Sequence, residues 1–155
     1  MPTILEVKRL FTVSQMKKER LTREEIYLAF AQLWSMRSVC KRFQVGAVLT
    51  DTRMRTVLGV GYNGPARGLP HDRCRKDKPG ECGCIHAEMN AIAGSISKNE
   101  DKILFVTVTP CEMCAQLIIQ HGVICVHVLG DYRDPSGVSL LREAGVEVCQ
   151  WLQLT

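Results

Sequence analysis

The sequence predicts an α/β fold in which helices pack on both faces of a mixed β-sheet. In the second half of the chain, short apolar runs that favour strands alternate with segments whose apolar residues recur at helical spacing. In the first half, two apolar runs flank a short polar connection, which predicts a pair of antiparallel strands. The length of 155 residues suits a single domain, residues 1–155, with one hydrophobic core.

The first helix is marked by a capping signal. Residues 1–20 show no sustained period, and we interpret them as an N-terminal arm. Thr22 and Glu25 form a capping box ahead of apolar residues at helical spacing, so a helix is expected from about Arg23 to Val39. The further predicted elements are strands at Val45 to Leu49 and Val57 to Gly61, a helix from His86 to about Ser97, a strand at Lys102 to Val108, a helix from Cys111 to His121, a strand at Val123 to Leu129, a helix from Ser136 to Ala144 and a strand at Val146 to Leu152.

Composition and charge limit the classes of function. The chain is 46% apolar and 23% charged, and no apolar run reaches the roughly 20 residues that span a bilayer. The N-terminus has no basic segment followed by an apolar core, so we expect a cytoplasmic protein. The net charge of +4 is small, and we expect no stable nucleic-acid or membrane partner. Eight cysteines in such a chain favour metal ligation or core burial over disulfides.

Two short motifs carry the candidate chemistry. They are H-x-E, at His86 and Glu88, and P-C-x-x-C, which contains Cys111 and Cys114. The two cysteines are three residues apart, so on a helix they share one face and can bind one metal ion with His86 as a third ligand. Motifs of this type in this order are typical of zinc-dependent nucleobase deaminases. A closed structural zinc site and a chance group of core cysteines are the alternatives.

The predicted site leaves one carboxylate free. Three protein ligands leave the last tetrahedral position open for water, whose pKa on zinc falls to about 7. Glu88 is then available to accept a proton from the water, pass it to the ring nitrogen beside the reacting carbon and protonate the departing amino group. The expected products are ammonia and a ring carbonyl.

A tight turn is predicted at Gly61, Tyr62, Asn63 and Gly64, which are followed by Pro65. Such a turn allows the backbone to approach a ligand closely, although simple strand termination explains the same pattern. Residues 66–83 are predicted to form a long basic loop, and a loop of this length is usually functional, disordered or held by another group.

Several segments together resemble deoxycytidylate (dCMP) deaminases of the cytidine deaminase superfamily. The H-x-E and P-C-x-x-C motifs are common to the superfamily, whereas Gly-Tyr-Asn-Gly is more characteristic of the dCMP branch. The resemblance covers roughly Ser38 to Val148 and implies a cytidine deaminase-like three-layer α/β/α sandwich with a central five-stranded mixed sheet. The matching segments are Val45–Val48, Gly59–Gly64, His86–Ile92, Pro110–Ala115 and Leu117–Gln120.

The resemblance also implies an activity and its regulation. It implies zinc on His86, Cys111 and Cys114, with Glu88 as the proton shuttle in the conversion of dCMP to dUMP, the precursor for thymidylate synthesis. It further implies a homohexamer activated by dCTP and inhibited by dTTP, with Mg²⁺ accompanying the triphosphate. The turn at Gly61 to Gly64 matches a part of the effector site in that family.

Some members of the family carry a second, structural zinc. Cys40, Cys74, Cys82 and Cys84 occupy the matching places here, and four thiolates would close the site and hold the long loop. Free thiols, or His71 in place of one cysteine, are the other interpretations.

Contacts with the substrate are expected at five positions. Ala87 and Pro110 lie within the two motifs, and Tyr132 is expected to pack on the substrate. Arg133 or Arg42 is expected to contact the phosphate, with a solvated surface position as the alternative for each.

Four residues outside the motifs were assigned structural roles. Cys125 and Cys149 lie in strand patterns and are interpreted as buried apolar residues. His121 and His127 are interpreted as structural histidines rather than ligands.

Two other functions fit part of the pattern. A tRNA adenosine deaminase or another nucleobase deaminase shares the zinc motif, but enzymes that act on nucleic acid need a basic surface. A non-catalytic zinc-binding subunit is the second alternative, and the free carboxylate of Glu88 argues against it.

Overall fold

The computed structural model describes residues 20–75, 77, 82–97, 99–130 and 134–151, so almost all of the arm expected at residues 1–20 lies outside the described residues. A short 3₁₀ helix, His71–Arg73, lies in the loop after the second strand. The strands are β1 (Gly46–Asp51), β2 (Val57–Tyr62), β3 (Lys102–Val108), β4 (Val123–Gly130) and β5 (Glu147–Gln150), and the helices are α1 (Arg23–Ser35), α2 (Ala87–Ala93), α3 (Glu112–Gln120) and α4 (Ser136–Glu143).

The five strands form one sheet in the order β2-β1-β3-β4-β5. Strand β1 pairs antiparallel with both β2 and β3, whereas β3, β4 and β5 are parallel. The antiparallel pair needs only a short connection, while each parallel step needs a crossover, which α3 and α4 supply. The mixed sheet that the sequence predicted is therefore confirmed.

Helices cover both faces of the sheet. On one face, Leu28 and Ala31 of α1 pack in a core that includes Phe105 of β3. The opposite face has its own core, to which the other three helices contribute Ala91 in α2, Ile118 in α3 and Leu141 in α4. The predicted three-layer α/β/α sandwich is confirmed. Within the described residues, no helix is both long and apolar enough to cross a bilayer.

Helix α1 ends earlier than the sequence predicted, at Ser35 rather than Val39. The backbone N–H groups of Met36, Arg37 and Ser38 each donate to the carbonyl three residues earlier, which tightens the chain and stops the α-helix. The Ser38 hydroxyl then donates to the carbonyl of Asn63 over 2.7 Å. This hydrogen bond to a residue distant in sequence helps to fix where α1 ends, which helix propensity alone does not predict.

Helix α2 is also shorter than predicted, since it ends at Ala93 instead of about Ser97. Gly94 follows as the C-cap, and the N–H of Ile96 donates to the carbonyl of Leu58 in β2. The residues after Gly94 are therefore held by the edge strand rather than by the helix. At the other end of the chain, β5 is shorter than predicted, and Leu152 lies outside the described residues.

Two glycines allow helix backbones to lie directly on the sheet. A Cβ at Gly46 would overlap the backbone of Ala31 in α1, and a Cβ at Gly61 would overlap the backbone of Ala87 and Ala91 in α2. A larger residue at either position would force the helix away from its strand. These contacts set the distance between the sheet and each of the two helices, α1 and α2.

Gly61→Ala is expected to destabilise the fold by about 1–3 kcal/mol or more, because the added methyl group overlaps backbone atoms that cannot rotate away. The matched control is Gly64→Ala, where the nearest atom to the added Cβ is a methyl carbon of Val39 at 3.9 Å. We expect the control to change stability by no more than about 0.5 kcal/mol. Urea unfolding of both variants measures the difference, and equal stabilities would contradict the close-packing interpretation.

The connection from β1 to β2 is fixed by Asp51. One carboxylate oxygen of Asp51 accepts hydrogen bonds from the backbone N–H groups of Thr56 and Arg55, each over 2.8 Å. These two donors lower the pKa of Asp51 below its ordinary value of 3.8, with the Thr56 N–H as the larger cause. The charged form of this side chain is therefore favoured by the folded connection.

Asp51→Asn is expected to lower stability at neutral pH, since the amide keeps an acceptor oxygen but loses the charge. A carboxyl group with a lowered folded-state pKa stabilises the fold above its unfolded-state pKa, and this contribution is lost as the pH falls through the folded-state pKa. The difference between parent and variant should therefore shrink in acid below pH 3.8. Denaturant unfolding across pH measures it, and a difference that is independent of pH would refute the role of the charge.

Candidate metal centres and active site

Three side chains that could bind a metal ion meet where α2 and α3 begin. His86 is the N-cap of α2 and Cys111 is the N-cap of α3, and both have extended backbone dihedral angles. N-cap side chains commonly accept a hydrogen bond from the first turn, but neither of these does. With Cys114 from the first turn of α3, they instead form one group of potential ligands.

The distances within this group suit a tetrahedral metal ion. The Nδ1 atom of His86 lies 3.5 Å from the sulfur of Cys111 and 3.3 Å from the sulfur of Cys114. Zinc bound at ordinary bond lengths places sulfur and nitrogen ligands about 3.6 Å apart. Imidazole nitrogen and two thiolates are also the ligand types that zinc prefers, so the residues fit this ion.

The two sulfurs differ in their affinity for a proton. Hydrogen bonds from Cys114 and then from His86 lower the pKa of Cys111 to about 4. The pKa of Cys114 is raised, first because its proton is held by Cys111 and second by burial. The opposite shifts arise because the two thiols are in direct contact and each is the largest cause of the other's shift. The hydrogen bond to Cys111 raises the pKa of His86, against the opposing effect of burial.

Glu88 lies beside this group but is not part of it. Its side chain is 4% exposed, and its carboxylate is not among the atoms that gather around His86. Burial raises the pKa of Glu88 above its ordinary value, while its backbone hydrogen bond and the nearby His86 lower it. The arrangement supplies a buried proton acceptor next to three potential ligands.

Gly137 in α4 supports the loop that carries Cys111, and sequence analysis did not identify it. A Cβ at Gly137 would overlap the carbonyl oxygen of Pro110 and backbone atoms of Cys111. The first turn of α4 therefore packs directly on the start of the P-C-x-x-C segment. A glycine inside a helix costs about 1 kcal/mol relative to alanine, so its presence in a helix pattern was an available signal of close packing.

The four cysteines expected to bind a structural zinc also come together. Their sulfur atoms all lie within 4.8 Å of one another, and the sulfurs of Cys40 and Cys74 are 3.6 Å apart. Cys82 and Cys84 complete the group, in which all but Cys84 are buried. His71 is exposed and does not belong to the group, so the arrangement favours four thiols over the alternative with a histidine.

A left-handed residue allows two of these cysteines to converge. Gly83 lies between Cys82 and Cys84 and has a φ of +84°, a conformation that glycine adopts without strain. Burial, followed by the neighbouring thiols, raises the pKa of Cys84. Four neutral thiols at this spacing have few favourable polar contacts of their own, whereas four thiolates around zinc form a closed site.

A third group of potential ligands contains residues to which the sequence assigned only structural roles. Cys125 is buried as expected, but Cys149 is partly exposed, so its interpretation as a buried apolar residue was wrong. Together with His127 they place three ligand atoms within 4.8 Å of one another. His121 belongs to none of the groups within the described part of the chain.

The segment predicted as a tight turn, Gly61 to Gly64, is the extended end of a strand. Gly61 and Tyr62 are the last residues of β2, and Gly64 forms an isolated antiparallel bridge with Ile85. Gly61 is needed for contact with α2 rather than for a turn conformation. The four residues are therefore a strand end that joins the segment before His86, and the expectation of a tight turn was wrong.

Asn63 is occupied by structural hydrogen bonds. Its side-chain oxygen accepts from the N–H of Val45 over 2.8 Å, and its side-chain amide donates to the carbonyl of Phe43 over 2.6 Å. The ring of Tyr62 stacks on Trp34 at 6.0 Å between centroids, and the Arg37 guanidinium lies 5.9 Å from the same ring. Of the four residues from Gly61 to Gly64, only Tyr62 is partly exposed, whereas the Asn63 side chain is buried.

The residues expected to contact substrate fall in different places. Ala87 and Pro110 are buried at the two ligand-bearing helix starts. Arg42 lies in an exposed segment between α1 and β1. Tyr132 and Arg133 lie outside the described residues.

Comparisons with known proteins agree with this geometry. Residues 21–129 match the model of the cytidine and deoxycytidylate deaminase zinc-binding region. ComE operon protein 2 of Bacillus subtilis is 34% identical over 147 residues, which cover 85% of this chain and 72% of that protein. Deoxycytidylate deaminase of Homo sapiens is 34% identical over 133 residues, covering 76% of this chain and 71% of that protein.

A solved structure extends the agreement to the fold. The structure of dCMP deaminase from the cyanophage S-TIM5, in complex with dCMP and dUMP, superposes with a TM-score of 0.76. It is 32% identical in sequence and covers 86% of this chain and 99% of that chain. The family match spans well over half of the sequence and includes the H-x-E and P-C-x-x-C residues. The chain therefore belongs to the cytidine and deoxycytidylate deaminase family.

Proposed function

We propose that this chain is a zinc-dependent dCMP deaminase that hydrolyses dCMP to dUMP and ammonia. The observation that carries the proposal is the group of His86, Cys111 and Cys114 with the buried carboxylate of Glu88 beside it. Relatives that are named deoxycytidylate deaminases, and the phage dCMP deaminase that was solved with dCMP and dUMP, support the choice of substrate. The product dUMP would serve thymidylate synthesis.

The three ligands are assigned to zinc by their chemistry and spacing. A site with three protein ligands leaves a coordination position for water, and zinc supplies the Lewis acidity that makes this water reactive near neutral pH. The starts of α2 and α3 hold His86, Cys111 and Cys114 on two separate elements. Because Gly61 and Gly137 place those elements in direct contact with neighbouring backbone, the ligands are positioned before any metal binds.

Glu88 performs the proton transfers in this proposal. Its carboxylate accepts a proton from the attacking water and delivers it to the ring nitrogen next to the carbon that carries the amino group. A second proton then passes through the same carboxylate to the departing nitrogen, which leaves as ammonia. The side chain is 4% exposed, so bulk water does not compete for these protons.

Substrate contacts complete the site. Ala87 and Pro110 are assigned to the wall of the base pocket because they adjoin the ligands in sequence. Tyr132 is assigned to packing on the substrate, and Arg133 or Arg42 to its phosphate. These assignments rest on the resemblance to the family and on the position of the motifs.

The second group of cysteines is assigned to a structural zinc. Cys40, Cys74, Cys82 and Cys84 provide four sulfurs at tetrahedral spacing, which leaves no position for substrate. Such a site would join the end of α1 to the loop before His86 and so hold that loop in place.

Regulation by triphosphates is proposed for the strand end at Gly61 to Gly64, with dCTP as activator, dTTP as inhibitor and Mg²⁺ bound with the triphosphate. Gly64 and Ile85 exchange backbone hydrogen bonds of 3.1 and 2.7 Å, so this strand end is coupled directly to the residue before His86. The side-chain amide of Asn90 in α2 also donates to the Tyr62 carbonyl over 2.8 Å. An effector at Tyr62 would therefore act on the helix that carries Glu88.

The assembly and location are proposed by the same reasoning. A groove lined by Met113 and Leu117 of α3 and Leu140 of α4 exposes apolar surface that a second subunit would cover, in line with a homohexamer. A cytoplasmic location fits a chain in which none of the eight cysteines forms a disulfide. No stable nucleic-acid or membrane partner is proposed.

One assay tests the proposed function directly. Purified protein is incubated with dCMP, dCTP, deoxycytidine and an adenosine-containing tRNA stem-loop, and ammonia release is followed with and without dCTP or dTTP as effector. We expect turnover of dCMP that rises with dCTP and falls with dTTP. Turnover of the tRNA stem-loop alone would contradict the assignment of dCMP as substrate. Rates of dCMP turnover that do not change with dCTP or dTTP would contradict the proposed regulation.

Glu88→Gln is expected to reduce kcat by about 10²- to 10⁴-fold, since the amide cannot carry the transferred protons. Zinc content should stay at the parent level because Glu88 is not a ligand in this proposal. The matched control is Glu112→Gln, an exposed residue in the first turn of α3, which should keep near-parental kcat. Steady-state kinetics and metal analysis measure both, and loss of zinc in Glu88→Gln would reassign this residue as a ligand.

The double variant Cys82→Ser/Cys84→Ser is expected to lose one equivalent of zinc relative to the parent, because it removes two of four sulfurs from a closed site. The control His71→Ala should keep the parental metal content, since His71 lies outside the group. Metal analysis by mass spectrometry, with thermal unfolding, measures the change. Equal zinc contents in parent and double variant would rule out a metal ion on the four cysteines.

A further inference from the structure

The third group of potential ligands lies on the opposite face of the sheet from Glu88. Cys125 and His127 are two residues apart on β4, so their side chains point to the same face. In the parallel pairing with β5, Cys149 lies directly beside His127. Their face is the one covered by α1, where Cys125 packs in the same core as Phe105.

The spacing of this group matches that of the two groups already described. The Nε2 atom of His127 is 3.5 Å from the sulfur of Cys125, and all three ligand atoms lie within 4.8 Å of one another. Tetrahedral zinc places sulfur and nitrogen ligands about 3.6 Å apart. The Cys149 thiol donates a hydrogen bond of 3.5 Å to a carboxylate oxygen of the exposed Glu147, which does not belong to the group.

The surroundings hold His127 in place and favour a cation. The His127 ring stacks on Phe105 with 4.9 Å between centroids and 7° between planes, and the indole N–H of Trp151 donates to its Nδ1 atom over 3.0 Å. Burial lowers the pKa of His127 below its ordinary value, against the opposing effect of Glu24 and Glu147. The carboxylates of Glu24 in α1 and Glu147 in β5 act on the ring from two sides and would attract a positive ion.

We propose that Cys125, His127 and Cys149 bind a further zinc ion, which fastens the edge strand β5 to β4. A set of two sulfurs and one imidazole selects borderline metals such as Zn²⁺ over hard cations. The site lies on the opposite face of the sheet from Glu88 and is separate from the deaminase site, so it goes beyond the proposed function.

The hydrogen bond from Trp151 gives this site a distinctive property. An indole N–H can only donate, so the Nδ1 atom of neutral His127 must be the acceptor and the proton lies on Nε2. Zinc at Nε2 replaces that proton, and the neutral ring then carries its proton on Nδ1, facing the indole N–H. Metal binding therefore breaks the Trp151 hydrogen bond, and both events should be observed together.

A disulfide between Cys125 and Cys149 is the competing account of the two thiols. Cys125 pairs with Glu147, so Cys149 is displaced from it by two residues along the neighbouring strand. Strand spacing and rise place such Cα atoms about 8 Å apart. Disulfides usually need less than about 7 Å, so metal ligation fits the backbone better.

The first test is a metal titration of the full chain. Metal-free protein is titrated with Zn²⁺ in competition with a chromophoric chelator, and Co²⁺ is used in parallel to record sulfur-to-cobalt absorption bands. We expect the double variant Cys125→Ser/Cys149→Ser to bind one metal equivalent fewer than the parent. The control Ile124→Ser alters an exposed neighbour on β4 and should bind as many as the parent.

Two results would overturn the proposal. Equal metal content in the double variant and the Ile124→Ser control would show that no ion binds these cysteines. Loss of two free thiols in the isolated protein, with a mass decrease that maps to a Cys125–Cys149 peptide pair, would establish a disulfide instead. Neither readout depends on deaminase activity, so failure of the proposed function in the ammonia assay is distinguished from failure of this site.

Trp151→Phe provides the second test, because it removes the indole donor and leaves the three ligands. The Nδ1 atom then no longer has to accept a hydrogen bond, and zinc affinity at this site should rise by about two- to tenfold. In the parent, filling the site should change the fluorescence of Trp151, and the variant should lose this change. Unchanged or weaker affinity in Trp151→Phe would contradict Nε2 of His127 as a ligand atom.

Discussion

Direct contact between the backbones of α2 and β2 is the constraint on which the active-site geometry depends. Gly61 has no side chain to separate them, so α2 lies against the strand and its first residues, His86 to Glu88, are fixed relative to the sheet. Gly137 gives the same close contact between α4 and the residue before Cys111. The spacing of these potential ligands thus depends on helix–sheet packing.

The ligand positions carry a local cost in stability. N-cap positions usually hold serine, threonine, aspartate or asparagine, whose side chains stabilise a helix by about 1 kcal/mol. His86 and Cys111 occupy these positions in α2 and α3 without capping them. Both helices are short and rely on burial against the sheet instead, as Ala91 and Ile118 illustrate. The two helices therefore form without an N-cap hydrogen bond from these side chains, because their packing against the sheet supplies the stability that capping would otherwise give.

Sequence analysis recovered what local patterns encode. The motif spacing predicted that His86, Cys111 and Cys114 come together with Glu88 nearby, and each of the four residues lies within one turn of a helix start. Helix ends were less predictable, because the ends of α1 and α2 are set by hydrogen bonds to distant strands. The group around His127 was missed for a similar reason. Cys149 is far from it in sequence, and only the register between β4 and β5 brings them together.

Three consecutive residues, Cys84, Ile85 and His86, belong to three different attachments: the four-cysteine group, the bridge to Gly64 and the ligand group at α2. An insertion or deletion within this tripeptide would shift all three attachments at once. The segment between Cys74 and Cys82 begins and ends at members of the four-cysteine group. A longer loop between two fixed ends adds only a small entropic cost to folding. Length variation among related chains should therefore concentrate between those two cysteines and avoid the tripeptide.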